Sequence, residues 1–112
     1  MRRELAAWLA RIRVAGDVRD EIILATHEAA ANAIEHARPG SEVTVRAARD
    51  ADKVLVVVTN SGEWKEPRFV DDRRGRGLAL MKRLMSDLEI QVKSQRTVVR
   101  MRKELSVSQA DA

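Results

Sequence analysis

The sequence contains no cysteine, and it has few aromatic residues: two tryptophans and one phenylalanine among 112 residues. The absence of cysteine excludes disulfides, cysteine metal sites and thiol catalysis. No apolar run approaches the ~20 residues of a membrane-spanning helix. The start of the chain, Met-Arg-Arg-Glu-Leu, lacks the apolar segment of a signal peptide. We therefore expect a cytoplasmic protein whose core consists of alanine, valine, leucine and isoleucine.

The hydrophobic pattern predicts a single domain over residues 1–104, followed by a C-terminal tail over 105–112. Residues 53–59 are predicted as a strand, and the continuous apolar run within it, 54–58, indicates a central position buried on both faces. Residues 41–49 alternate and should pair with it as an antiparallel hairpin. Gly16 is expected to end the first helix. The expected elements are helices over 2–13, 18–37 and 76–86, further strands over 88–93 and 97–103, and a long loop over 61–75. Because helices and strands do not alternate strictly, we expect an α+β two-layer sandwich with helices on one face of a mixed, mostly antiparallel sheet.

The run from Glu28 to His36 carries a compact polar stripe on a predicted helix. At ~100° per residue, its polar side chains fall within roughly 100° of arc, and the apolar ones, Ile34 included, fall on the remaining side. The polar ones are Glu28, Asn32, Glu35 and His36. A carboxylate followed one turn later by a carboxamide suits Mg²⁺ beside a polyphosphate, because Asn supplies a hard oxygen and Glu a base. The alternative is a solvated helix face, which often carries Glu and Asn.

Two glycine-containing segments in the second half of the chain favour a ligand site. Asn60-Ser61-Gly62 follows an apolar run, and a glycine at a strand end lets the backbone approach a flat ligand because it has no Cβ. The stretch 73–78, Arg-Arg-Gly-Arg-Gly-Leu, opens an amphipathic segment. A Gly-x-Gly at a helix start offers free N–H groups and the positive end of the helix dipole to an anion. Each segment alone is a weak signal, but their order after the polar helix is specific.

Together, the three segments resemble the ATP-binding domain of the GHKL (Bergerat-fold) superfamily, most closely the anti-sigma-factor serine kinases of bacteria. Glu28-x-x-x-Asn32 with His36 matches the N box of that family, and 74–81, Arg-Gly-Arg-Gly-Leu-Ala-Leu-Met, matches the glycine motif that closes its ATP lid. The similarity covers about residues 4–104. Two positions depart from the family pattern: Asn60 stands where the family has Asp, and Arg-Thr-Val at 96–98 replaces Gly-Thr-Thr.

The resemblance implies ATP and Mg²⁺ as cofactors and gives roles to particular residues. Asn32 would ligate Mg²⁺, and Glu28 would accept the proton from a serine hydroxyl of a protein substrate. Arg73 or Arg74, with N–H groups of the lid, would neutralise the charge that builds on the γ-phosphate. The implied nucleotide-binding residues are Asn32, Asn60, Gly62, Gly75, Arg76, Gly77, Leu78 and Thr97.

The resemblance further implies a serine/threonine protein kinase that phosphorylates an anti-sigma-factor antagonist and thereby regulates a sigma factor. The expected partners are these two proteins and a second copy of the chain, for which Leu5, Trp8 and Leu9 form either a helix-surface patch or ordinary core. Two alternatives stay open. One is a nucleotide-binding or degenerate switch module without kinase activity, and the other is the catalytic domain of a two-component histidine kinase.

The formal net charge of +4 also allows nucleic-acid binding. The arginines are spread along the chain, however, and only Arg73, Arg74 and Arg76 cluster. No aromatic side chains interleave with them, as single-strand binding would require. Nucleotide phosphates and acidic protein partners match the positive charge better, and neither nucleic acid nor a membrane is an expected partner.

Overall fold

The structure is a computed structural model that describes residues 2–36, 40–61, 72–93 and 96–105, and for residues 2, 36, 72–76 and 93 it describes the backbone alone. The described elements, in chain order, are helices α1 (Arg2–Arg11) and α2 (Gly16–His36), strands β1 (Val43–Asp50) and β2 (Lys53–Asn60), helix α3 (Asp72–Leu84), and strands β3 (Asp87–Lys93) and β4 (Arg96–Glu104). None of these helices is long and apolar enough to cross a membrane.

The four strands form one sheet in the order β1-β2-β4-β3. All three pairings are antiparallel, from Val43 opposite Asn60 in the first hairpin to Lys93 opposite Arg96 in the last. The α+β sandwich and the first hairpin are therefore confirmed, whereas the expectation of a mixed sheet is wrong for the described strands. The physical reason is the crossover through α3: the chain enters β3 at the sheet edge, so β4 returns between β2 and β3 and runs opposite to both.

The helices cover one face of the sheet and leave the other open. In β2, Val54, Val56 and Val58 point into the core and are at most 1% exposed. Leu55, between them, points to the other face and is 37% exposed. The prediction that β2 is central is confirmed, but the prediction that both of its faces are buried is wrong, because no described element packs on the second face.

Helix α1 ends in a left-handed residue. Arg13 has φ 62°, its N–H donates to the Ala10 carbonyl and the Val14 N–H donates to the Leu9 carbonyl, which together form a Schellman motif. Gly16, predicted to end α1, instead begins α2. Leu9 and, in the preceding turn, Leu5 are buried in the core, so these two residues are core rather than a patch for a second copy.

Helix α2 packs on the sheet through residues spaced three or four apart. The buried residues at this spacing are Val18, Ile22, Ala25, Ala29 and Ala33. Ile34, predicted on the apolar side, is 65% exposed, because one further step of ~100° carries it past the sheet-facing stripe.

The last described residue also belongs to the core. Leu105, the first residue of the predicted tail, is 6% exposed, and its N–H donates to the Asp52 carbonyl. The tail therefore cannot begin before residue 106. Residues 106–112 and most of the predicted loop, residues 62–71, lie outside the described residues.

Candidate functional site

Glu28 and Asn32, the two residues of the predicted polar pair, lie one turn apart on α2 and face the beginning of α3. Both are half-buried. The element that approaches them is Gly77: a Cβ placed on it would lie 3.2 Å from Oε2 of Glu28 and 3.5 Å from Nδ2 of Asn32. The structure thus brings together three predicted site residues that are far apart in the sequence.

The contact at Gly77 explains why this position is glycine. Gly77 is itself buried, and a separation of 3.2 Å between a Cβ and a carboxylate oxygen is closer than ordinary van der Waals contact. Any other residue would push against Glu28, whereas glycine lets the backbone of α3 approach the polar pair directly. The neighbours of Gly77 in this close approach are α2 side chains, and its predicted contact with an anion remains a prediction.

The start of α3 differs from the prediction. The sequence placed the helix start at residue 76, but α3 begins at Asp72, so Gly75 and Gly77 are inside the helix rather than ahead of it. Only the first turn of a helix has N–H groups without an intrahelical partner. In this conformation the Gly77 N–H lies beyond that turn.

Other predicted residues near the lid are described in part or not at all. Leu78 is half-buried and packs against the core. The side chains of Arg73, Arg74 and Arg76 and the whole of Gly62 lie outside the described residues, so their predicted roles remain predictions.

Asn60 and Thr97 form a second polar group at the adjoining end of the sheet. They sit opposite each other on β2 and β4, and each is 1% exposed. The Asn60 side chain donates from Nδ2 to the Ala33 carbonyl of α2 at 3.1 Å. Since Ala33 directly follows Asn32, α2 joins the two polar groups: Asn32 faces α3, and the next residue faces the sheet.

The Ala33 carbonyl is the member of this region that the sequence did not reveal. A backbone acceptor leaves no residue-type signal, and Asn60 lies 27 positions away in the chain. A signal did exist on the other side of the bond, because an Asn at the end of a buried apolar strand needs a partner for its amide. The sequence could not identify which one.

The donor set limits what metal site this region can form. Among the described residues, no three or more His, Cys, Asp or Glu side chains come together as a metal site. Glu28 and Asn32 supply hard oxygen atoms of the kind that Mg²⁺ prefers, and a Mg²⁺ site commonly takes its remaining ligands from water and substrate phosphates. The residues present therefore fit a magnesium–nucleotide complex better than a cage made wholly of protein ligands.

Comparison with known proteins identifies the family of this chain. The family model described as the histidine kinase-like ATPase domain matches residues 1–103. The chain belongs to this family. Domains of the family bind ATP, so this histidine kinase-like ATPase domain is an ATP-binding domain, and the GHKL resemblance is confirmed at that level.

Solved structures agree on the fold of this ATPase domain. The blue-light activated histidine kinase of Erythrobacter litoralis EL346 superposes with a TM-score of 0.71 at 19% identity, over 92% of this chain and 40% of that one. A histidine kinase domain from the same protein gives 0.68 at 18% identity, over 95% and 63% respectively. The ATPase domain thus spans between two fifths and two thirds of the lengths of these proteins. At such low identity, the likeness concerns the fold alone.

Proposed function

We propose that this chain is a cytoplasmic serine protein kinase of the anti-sigma-factor type, which phosphorylates an anti-sigma-factor antagonist and so regulates a sigma factor. The observation that carries the proposal is the meeting of Glu28, Asn32 and Gly77. It puts a carboxylate, a carboxamide and a backbone position without a side chain at one place, and this set suits phosphoryl transfer from ATP to a hydroxyl.

The cofactors of the proposal are ATP and Mg²⁺, where the metal, when bound, neutralises charge on the phosphate oxygens. Asn32 would hold the metal through its carboxamide oxygen. Glu28 would accept the proton of the attacking serine hydroxyl onto its carboxylate. Glu28 is half-buried beside α3, so part of its side chain remains accessible from solvent.

The lid role rests on the two glycines of α3. Each glycine in a helix interior costs about 1 kcal/mol relative to alanine, so the first turns of α3 are easily unwound. If α3 began near Gly77 rather than at Asp72, the N–H groups of Gly75 and Gly77 would become free for phosphate oxygens. We propose that nucleotide binding selects this shorter helix, with Arg73, Arg74 and Arg76 adding positive charge and Leu78 anchoring the turn.

The base-binding end of the proposed site contains Asn60 and Thr97. Both are buried at the ends of neighbouring strands, and Gly62 follows Asn60 by two positions in the sequence. We propose that this pair recognises the adenine and that Gly62 lets the backbone pass beneath it. The Asn60 amide group is oriented by its bond to Ala33, which fixes how the side chain can present itself to a base.

The decisive experiment is phosphoryl transfer from labelled ATP to a candidate antagonist by Glu28→Ala. Loss of a general base lowers the rate by about 10²–10⁴-fold, while ATP binding should persist, since a base acts in the transition state. Glu35→Ala is the matched control, because it removes a carboxylate from the same stripe of α2 two turns farther on. A Glu28→Ala variant that phosphorylates at the parental rate would remove Glu28 from the role of base.

Asn32→Ala tests the metal site separately. It should weaken Mg·ATP binding by about tenfold or more, equivalent to at least 1.4 kcal/mol, and should lose the magnesium dependence of affinity. The measurement is a calorimetric titration with ATP at several magnesium concentrations. Unchanged affinity at every concentration would exclude Asn32 as a ligand.

The alternative function is a nucleotide-dependent switch that docks partners without transferring phosphate. The observation that favours it is the helical form of α3, in which the backbone at Gly77 covers the polar pair. Both functions predict stabilisation in a thermal-shift titration with Mg·ATP, about 2.7 kcal/mol at a hundredfold excess over Kd. The formation of phosphoserine distinguishes the two, because only the kinase yields it. No stabilisation by any purine triphosphate would contradict both.

A further inference from the structure

The open face of the sheet carries residues that have no role in the proposed nucleotide site. It lies on the opposite side from α2 and α3, and its middle is a shallow cavity of about 430 Å³. Val57 and Val98, both half-buried, form the apolar centre of its floor, and Thr44 and Thr59 complete the floor. Three arginines surround that floor: Arg46, Arg96 and Arg100. We call the two valines and these three arginines the arginine face.

The arginines are arranged by the strand register. Arg46 on β1 and Arg100 on β4 both lie opposite Val57 on β2, one on each side. Since neighbouring strands are ~4.8 Å apart, the backbones of the two arginines are separated by roughly 10 Å, which is close to the diameter of an α-helix with its side chains. Arg96 lies one row beyond Val98 on the same strand.

Among the described strands, Arg46 and Arg96 have no acidic residue opposite them in register, whereas Arg100 does. Among the described residues, neither Arg46 nor Arg96 has an acidic partner, and Arg100 donates to the neutral carboxamide of Gln91 at 2.6 Å. Glu89, opposite Arg100 in the register, is the acidic residue of β3 that adjoins this row.

The other half of the open face is balanced. Arg102 pairs with Asp87 at 3.5 Å, and Lys53 stands in register with Asp50 on one side and Glu104 on the other. Positive charge is therefore concentrated around the apolar floor rather than spread evenly over the sheet. The concentration indicates a surface for an anionic partner with an apolar side.

We propose that the arginine face docks an acidic amphipathic helix of a partner protein. The helix would place apolar side chains over Val57 and Val98 and carboxylates on both flanks, toward Arg46 on one side and Arg96 and Arg100 on the other. Arginine is the charged residue enriched at protein interfaces, and its fork binds carboxylates in a bidentate manner. A nucleic acid fits less well, because the floor has no aromatic side chain for a base to stack on. A second copy of the chain would bring like charges together.

The test uses a synthetic probe peptide of about 18 residues, ~27 Å long as a helix, with leucine along one face and glutamate on both flanks. Fluorescence anisotropy of the labelled peptide should show saturable binding that weakens as salt is raised. Arg46→Glu/Arg100→Glu should reduce its affinity at least about tenfold, equivalent to 1.4 kcal/mol. The milder pair Arg46→Gln/Arg100→Gln should weaken it in the same direction and serves if the reversed charges disturb folding.

The matched control is Arg3→Glu/Arg11→Glu, which changes the net charge equally on exposed positions of α1, in the other layer. It should leave peptide affinity within about twofold, a difference under 0.5 kcal/mol. If the control weakened peptide binding equally, the effect would come from the net charge of the protein alone, and the proposal would be overturned. So would failure of the peptide to bind, or tighter binding of a single-stranded oligonucleotide that the same arginine variants abolish. Mg·ATP titration of the arginine variants should be unchanged, so the outcome is independent of the proposed kinase activity.

Discussion

The two faces of the sheet differ in burial, although the β2 residues on each face are similarly apolar. In β2, Val56 is fully buried under the helices, and Leu55, its neighbour on the open face, is 37% exposed. Both belong to the same unbroken apolar run. The comparison shows that the core of this domain depends on one face, while apolar residues on the other face are available for contacts outside the fold.

The polar groups of the two faces differ in the same way. On the covered face, Asn60 and Lys103 bond to backbone carbonyls at the ends of helices α2 and α3, those of Ala33 and Leu84. On the open face, the described bonds join exposed side chains within the sheet, such as Arg102 with Asp87. Polar residues of the covered face therefore connect the two layers, whereas those of the open face connect neighbouring strands.

The largest expected effect comes from shortening adjacent valines of β2. Val56→Ala removes two buried carbons and leaves a cavity under the helices, so it should lower the free energy of unfolding by about 2.5 kcal/mol. Val57→Ala makes the same chemical change on the open face and should cost under about 1 kcal/mol. Urea unfolding of both variants measures the difference. Equal losses would show that the open face is covered in solution and would contradict the difference in burial between the two faces.

A smaller effect is expected from changing the side chain that donates the hydrogen bond between the sheet and α2. Asn60→Asp removes the donor to the Ala33 carbonyl and sets a buried carboxylate against a carbonyl oxygen, at a cost of about 2 kcal/mol at neutral pH. Burial next to the Ala33 carbonyl oxygen raises the pKa of the introduced carboxyl above its unfolded value. The protonated form can donate to Ala33, so the loss relative to the parent should be greatest above that raised pKa and should shrink as the pH falls through it.

Thr59→Asp is the control for this pH dependence. It introduces the same carboxyl one residue earlier, on the open face beside the arginines, where positive charge favours the ionised form. Its effect on unfolding should therefore not diminish with falling pH. An Asn60→Asp variant with parental stability at neutral pH would show that the Ala33 bond contributes little to stability.

Features that depend on nearby residues could be predicted from the sequence. The pairing of Glu28 with Asn32 on one helix face follows from a spacing of four, and the first hairpin follows from two strands around a short turn. The start of α3 was predicted four residues late. Glycines at 75 and 77 disfavour a helix locally, and the packing of α3 against α2 overrides that preference.

Features that depend on distant segments could not be predicted. The insertion of β4 between β2 and β3 is set by the crossover, and it decides that Asn60 lies opposite Thr97. The unbroken apolar run of β2 could not distinguish a strand covered on one face from one covered on both, because open-face residues such as Leu55 and Val57 are as apolar as their buried neighbours. The arginine face follows from the same register, since Arg46 and Arg100 are brought to either side of Val57 by strands that are far apart in the chain.

The smallest expected effects on the free energy of unfolding come from two ion pairs made by consecutive residues of β4. Lys103 pairs with Glu21 at 3.0 Å on the covered face, where the lysine side chain is 14% exposed, and it also donates to the Leu84 carbonyl at the end of α3. Lys103→Met keeps the apolar stem and removes both bonds, so it should cost about 1 kcal/mol. Arg102 pairs with Asp87 at 3.5 Å on the open face, where the two side chains are 40% and 60% exposed. Asp87→Asn keeps the oxygen that accepts from the Leu88 N–H and should cost under about 0.5 kcal/mol.

Raising the salt concentration should abolish the smaller of these two losses and leave most of the larger one, because a bond to a buried helix carbonyl is screened far less than an exposed pair. Two losses of equal size and equal salt dependence would mean that the lysine contributes only surface charge, and that the helix layer is held to β4 by apolar packing alone.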